Sequence, residues 1–220
     1  MLLKFIVAAV LAGTPLLYGI LGEIVNEKSG HLNLGVEGMM ALGACAGFMI
    51  GYLSDNLFFA VLAAFAAGAL GALVYAVLTV TFMANQNVTG LALTTFGTGF
   101  GNFFGGSISK LAGGVGQISV STTASAYQAK IPGLSKIPVI GSVFFSYGFL
   151  TYVALLLAIL LSFFLFRTRN GLNLRAVGEN PGTADAAGIN VSKYKYLSTC
   201  IGAGIAGLGG LYFVMEYSGG

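Results

Sequence analysis

Few residues in this 220-residue chain are charged or strongly hydrogen-bonding, and their placement limits the chemistry available. The densest group runs from Arg167 to Tyr196, RTRNGLNLRAVGENPGTADAAGINVSKYKY. Within it Leu174-Arg-Ala-Val-Gly178 leads into Glu179-Asn180-Pro181, and Gly182 to Ile189 reads GTADAAGI. Pro181 suits the first turn of a helix, Asn180 can cap it, and Gly188 can end it in the left-handed conformation. The pattern predicts a short helix over Pro181–Ala187, with Asp185 as a charged handle and its alanines on a small, smooth face. So short a helix is not stable alone. A docking element and an ordinary solvated loop both fit the spacing.

Two further polar groups border apolar sequence. Glu37 falls inside an apolar segment beside Asn33. A carboxylate there can accept hydrogen bonds from ribose hydroxyls or base amines, or brace helix packing, or pair with Lys28. Asn85, Gln86, Asn87 and Thr89 precede a segment rich in Gly and Thr. Amides beside an unwound helix can line a solute site, and a plain interfacial loop has the same composition. Phe100, Phe103 and Phe104 can stack on a base or anchor a helix end at the interface. His31 stands alone, and Cys45 and Cys200 are isolated, so no metal-ligand spacing, disulfide framework or nucleophile–base pair can be assembled. Gly202-Ala-Gly204-Ile-Ala-Gly207 matches a dinucleotide fingerprint in letters only. It lacks the preceding strand and the following acidic residue, and reads as helix packing.

The elements that hold these groups are apolar. Hydrophobic residues make up 56% of the chain and charged residues 8%, against roughly 25% charged in a soluble domain. No charge occurs from Asn56 through Ser109, from Pro138 through Phe166, or from Tyr196 through Met215. Runs of about 20 apolar residues span a hydrocarbon core as helices. The expected fold is an all-α polytopic bundle forming one domain over residues 1–220, with 167–196 as a polar loop within it. Six spans are placed at Phe5–Gly22, Leu34–Leu53, Leu57–Met83, Val88–Phe104, Val143–Phe166 and Leu197–Tyr217. The fourth is short enough to be a broken or re-entrant helix. The first is a retained helix rather than a signal peptide, because its apolar run passes Pro15 without a cleavage site. Gly43, Gly47 and Gly51 share one helix face, as do Gly68 and Ala72, which marks close helix packing. Nothing indicates nucleic-acid binding.

Arg167, Arg169, Arg175, Lys193 and Lys195 flank one short loop and place it on the cytoplasmic side. Alternation then puts Gly105–Ile140 outside, Asn85–Asn87 inside, Ser54–Asn56 outside, Glu23–Asn33 inside and the N-terminus outside.

The stretch LRAVGENPGTADAAGINVSKYKYL resembles the cytoplasmic coupling loop of ABC importer permeases, in the branch related to branched-chain amino acid and ribose permeases. Upstream, Ser29-Gly-His-Leu-Asn-Leu-Gly-Val-Glu-Gly38 is similar to the nucleoside and simple-sugar permeases of that branch, and Thr89-Gly-Leu-Ala-Leu-Thr94 matches a third segment. The resemblance implies a translocation subunit for nucleosides or simple sugars in a bacterial-type plasma (inner) membrane. It implies pairing with a second permease subunit as a homo- or heterodimer, and an extracytoplasmic substrate-binding lipoprotein. It also implies a cytoplasmic ABC ATPase that carries the ATP and Mg, so that this chain binds no cofactor or metal and catalyses nothing. On it, Gly178, Glu179, Asn180, Pro181, Ala184, Asp185, Ala187 and Gly188 form the ATPase-coupling element, and Asn33, Glu37, Asn85, Gln86, Asn87 and Thr89 contribute to the substrate pathway. Permeases of this kind run longer, so the chain is expected to be a C-terminally truncated copy. An ion- or proton-coupled secondary transporter is the alternative. It needs titratable groups at mid-membrane, for which Glu37 is the one candidate.

Overall fold

Each apolar run folds into one long helix, because in lipid a backbone must satisfy its own N–H and C=O groups. The computed structural model describes residues 2–111, 127 and 147–217. The long helices are α1 (Leu2–Glu27), α2 (Val36–Ser54), α3 (Leu57–Ala76), α4 (Gln86–Leu111) and α5 (Phe149–Arg167). The polar island contributes α6 (Arg169–Glu179) and α7 (Pro181–Ala186), and α8 (Val191–Tyr212) follows. Single π-helical turns continue α3 over Val77–Thr81 and α8 over Phe213–Tyr217. The described residues thus form an all-α bundle. Five helices (α1, α2, α3, α5 and α8, the two π turns included) are long and apolar enough to cross a membrane.

The fourth segment corrects an expectation. It is unbroken, and it is not among the five helices apolar enough to cross a membrane. It is one helix of 26 residues, longer than the Val88–Phe104 segment. Two of its threonines satisfy their hydroxyls within the helix. Thr95 Oγ1 donates to the Leu91 carbonyl at 3.1 Å and Thr98 Oγ1 to the Thr94 carbonyl at 2.8 Å. Its glycines fit it against α2, where a Cβ on Gly97 would fall on the backbone of Gly38. Polar composition here reflects close contact between helices. Phe96, Phe100 and Phe104 form a ladder along α4, with centroids 6.0 and 4.3 Å apart.

At the centre stands α8, buried without interruption from Gly202 to Tyr212 and packed on α1, α2 and α3. The glycines make this possible. A Cβ on Gly202 would strike the Gly22 backbone, and one on Gly43 would lie 2.5 Å from Gly207 Cα. Gly47 and Gly51 lie against Leu211 and Met215. The fingerprint-like glycines are therefore packing positions. Pro15 adds a specific tie. It has no N–H for the Leu11 carbonyl four residues back, and that oxygen instead accepts from the Tyr212 hydroxyl at 3.2 Å.

The helices alternate in direction, so the α1–α2 and α3–α4 connections and the island meet at one end of the bundle. The Leu32 amide donates to Gln86 Oε1 at 3.0 Å, and Gly178 lies against the backbone of Lys28 and Gly30. This is the grouping that charge and alternation predict for the inside. Most of the predicted outer stretch Gly105–Ile140 lies outside the described residues.

Candidate functional site

The island is more ordered than its sequence announces. Thr168 caps α6, its hydroxyl accepting from the Gly171 amide at 3.0 Å. Gly171, Leu174 and Val177 turn inward at three-residue spacing, and Leu174 joins Val25 and Leu165 in a small apolar cluster. Arg175 lies over the Phe166 ring, 5.1 Å from its centroid. Asn173 Nδ2 donates to the Tyr194 hydroxyl at 3.0 Å, which donates to Asn170 Oδ1 at 3.3 Å. These contacts fix α6 against α1, α5 and α8, so α7 is presented from a rigid base.

The short helix forms as its letters predict, ending at Ala186 with Ala187 as the C-cap residue. Asn180 Oδ1 accepts from the Thr183 amide at 3.0 Å, and Pro181 opens the first turn. Gly188 adopts φ +80°, its amide donates to the Asp185 carbonyl, and the Ile189 amide donates to the Ala184 carbonyl. That pair of bonds closes a helix end around a left-handed residue. Glu179, Asn180, Pro181, Asp185, Ala187 and Gly188 are exposed, while Ala184 is buried. Ala184 floors an open hollow of about 270 Å³ that Glu179, Thr183 and Ala187 border. Gly178 is half-buried, with its Cα against Gly30 of the α1–α2 connection.

Behind α7 lies a polar knot that sequence spacing does not reveal. Asn26, buried at the end of α1, accepts from Thr199 Oγ1 at 2.8 Å and donates to Glu23 Oε1 at 3.4 Å. Glu23 Oε1 also accepts from the Asn33 amide at 2.8 Å. Ser29 Oγ donates to the Asn26 carbonyl, Tyr75 Oη to the Leu32 carbonyl, and Thr94 Oγ1 to the Leu34 carbonyl. The segment Ser29–Gly35 is thereby tied to α1, α3, α4 and α8. Glu23, Asn26 and Thr199 were not among the predicted site residues. They meet across up to 173 positions, and only an Asn and a Glu at the end of an apolar run hint at them.

Asn33 and Glu37 share a cleft of about 460 Å³ with Glu23, Glu27, Leu91 and Thr94. Asn33 is buried, its Oδ1 accepting from the Gly35 amide, whereas Glu37 is exposed in the first turn of α2. The other predicted pathway residues hold the neighbouring connection. Asn85 Oδ1 caps α4 by accepting from the Asn87 and Val88 amides, Gln86 holds Leu32, Asn87 is exposed, and Thr89 is buried.

His31 is 2% exposed and packs edge-on against Tyr75. Burial, and then the charge of Lys195, lowers its pKa to about 4. An unfolded histidine titrates near 6.5, so between pH 6.5 and 4 the unfolded chain binds more protons and stability is lost as pH falls. Thermal unfolding in detergent is expected to show a loss of about 2 kcal/mol from pH 7 to 5, reduced in His31→Gln. An equal acid loss in that variant would remove His31 as the cause.

Residues 3–220 match the family described as branched-chain amino acid transport system / permease component. The chain is 37% identical over 212 residues to the putative glucose ABC transporter permease protein TsgC13 of Haloferax volcanii, covering 96% of this chain and 62% of that protein. It is 39% identical over 222 residues to the guanosine ABC transporter permease protein NupQ of Bacillus subtilis, with coverage of 95% and 66%. It is 34% identical over 225 residues to the nucleoside ABC transporter permease protein NupC of Lactococcus lactis subsp. cremoris, with coverage of 99% and 69%. The chain thus spans between 62% and 69% of the length of these curated relatives. No solved structure matches it. With five membrane-length apolar helices among its described residues, and matched along nearly its whole length, the chain is a multi-pass membrane protein, and it belongs to the branched-chain amino acid transport system permease family.

Proposed function

We propose that this chain forms translocation-pathway spans of an ATP-driven importer for nucleosides or simple sugars. In this reading α7 docks on a cytoplasmic ABC ATPase, which binds the ATP and Mg. A second permease subunit completes the membrane part, and an extracytoplasmic binding lipoprotein delivers the solute across a bacterial-type plasma membrane. The observation that carries the reading is the build of α7. It is capped at both ends within the chain and held on a fixed base, yet Glu179, Pro181, Asp185 and Ala187 face outward. A mere connector needs no such construction. Relatives named for glucose, guanosine and nucleoside transport support the substrate class.

The cleft at Asn33 and Glu37 is the proposed inner mouth of the pathway, with Asn85, Gln86, Asn87 and Thr89 forming its neighbouring wall. Its carboxylates suit solutes rich in hydroxyl and amine donors. The secondary-transporter reading gains no support from Glu37, which sits at a helix end and is exposed.

The test is co-purification from membranes of the chain co-expressed with its ATPase. Glu179→Ala combined with Asp185→Arg is expected to release the ATPase and reduce nucleoside uptake at least roughly 100-fold, the scale of losing about 3 kcal/mol of docking. Retention of the ATPase by an inserted, folded double variant would refute the docking role of α7.

A further inference from the structure

Gly178, expected among the residues offered to the ATPase, is half-buried and lies against the α1–α2 connection. A Cβ there would meet the Lys28 carbonyl oxygen, with the Lys28 carbonyl carbon at 3.0 Å and the Gly30 nitrogen at 3.1 Å. From the other side, a Cβ on Gly30 would lie 3.3 Å from Gly178 Cα. Gly30 also holds φ +79°, a conformation that side chains rarely adopt. Two backbones therefore touch directly where α6, immediately before α7, meets the α1–α2 connection.

That connection is stiff. Over Ser29–Gly35 it receives Gln86 from α4, Tyr75 from α3 and Thr94 from α4, and Asn33 and Asn26 bind it to Glu23. Asn26 in turn holds Thr199 of α8. The cleft bordered by Asn33, Glu37, Leu91 and Thr94 opens directly beside it. A displacement of α6 cannot be absorbed by side chains at a glycine–glycine contact, since there are none.

We infer that the Gly30–Gly178 contact is a mechanical joint, with Thr199–Asn26 as its tie into α8. Through it, movement of α7 reaches the cleft. The inference rests on the proposed coupling function, and it makes Gly30, Gly178, Asn26 and Thr199 positioning residues rather than docking residues.

The experiment uses the full chain in its complex with the ATPase. Leu91→Cys is placed in the cleft of a background in which Cys45 and Cys200 are alanine. Maleimide labelling is measured with and without ATP and vanadate. In the otherwise unmodified complex, labelling should change with nucleotide. With Gly178→Ala the ATPase should still co-purify and hydrolyse ATP, and the nucleotide-dependent change should fall roughly fivefold or more. Thr199→Val adds nothing at the glycine contact and should act in the same direction, which decides the matter if Gly178→Ala fails to fold. A wild-type response in a folded Gly178→Ala or in Thr199→Val overturns the joint. Loss of the ATPase from folded Gly178→Ala also overturns it, by returning Gly178 to the docking surface. If the complex with neither substitution gives no nucleotide response, the coupling function itself fails.

Discussion

Gly207→Val is expected to prevent assembly of the bundle, giving aggregated protein in place of a monodisperse peak on gel filtration in mild detergent. Gly207 lies where three helices meet. A Cβ on it would sit 2.6 Å from the Ala64 carbonyl oxygen and 3.4 Å from Gly68 Cα, and its own Cα fills the space beside Gly43. Every neighbour is backbone, so no side chain can rotate away. Overpacking a well-packed core costs about 1–3 kcal/mol even where side chains can yield. Here a whole helix must move out, which forfeits the close contacts that hold helices together in lipid. Gly13→Ala supplies the opposite case. Nothing lies within 4 Å of a Cβ at Gly13, and alanine in a helix interior is favoured over glycine by up to about 1 kcal/mol. Equal behaviour of the two variants would show that small residues in α8 are a matter of composition rather than contact.

Asn26→Leu should produce the largest loss among polar substitutions, about 1–3 kcal/mol, because it strands the buried Thr199 hydroxyl and takes a donor from the half-buried Glu23. Thr199 Oγ1 loses its acceptor, and Glu23 loses one of its donors while keeping the Asn33 amide. Removing one partner of a buried hydrogen bond costs more than removing both. The double variant Asn26→Leu/Thr199→Val should therefore recover part of the loss, measured as the unfolding midpoint in a denaturing detergent titration. Strict additivity of the two substitutions would mean that the bond contributes nothing to stability.

Much of the frame was readable from charge-free runs, because lipid leaves a spanning backbone little choice but helix. The α7 turn was readable for a different reason: Asn180, Pro181 and Gly188 act within their own neighbourhood, and local chemistry is written locally. What escaped was of two kinds. The fourth segment, rich in Gly and Thr, read as short enough for a broken or re-entrant helix, but in the bundle it runs on unbroken, Thr98 bonds its own turn and Gly97 seats against Gly38. The helix α6 was not foreseen, since its inward face is just Gly171, Leu174 and Val177 in a polar stretch. The knot at Asn26 was invisible for a deeper reason. Its members come from α1, the following loop and α8, and no window of sequence holds them together. Glu216 belongs to the same class: it is buried in the last π turn, where it accepts from Thr151 Oγ1 at 3.0 Å.

The central place of α8 also sets a timetable for biogenesis. The helices it joins, α1 to α3, leave the ribosome more than a hundred residues before it does, so the slots their glycines form for α8 can be filled only once α8 has been made. Contacts between Gly22 and Gly202, or Asn26 and Thr199, close loops that span most of the chain, and such distant pairings form slowly. The early spans must therefore wait in the bilayer as a partly open set, exposing small-residue grooves to lipid and to neighbouring chains. Protection of that waiting state by an insertion factor, or simple speed of synthesis through residues 191–212, becomes part of what determines how much of the protein reaches its native form.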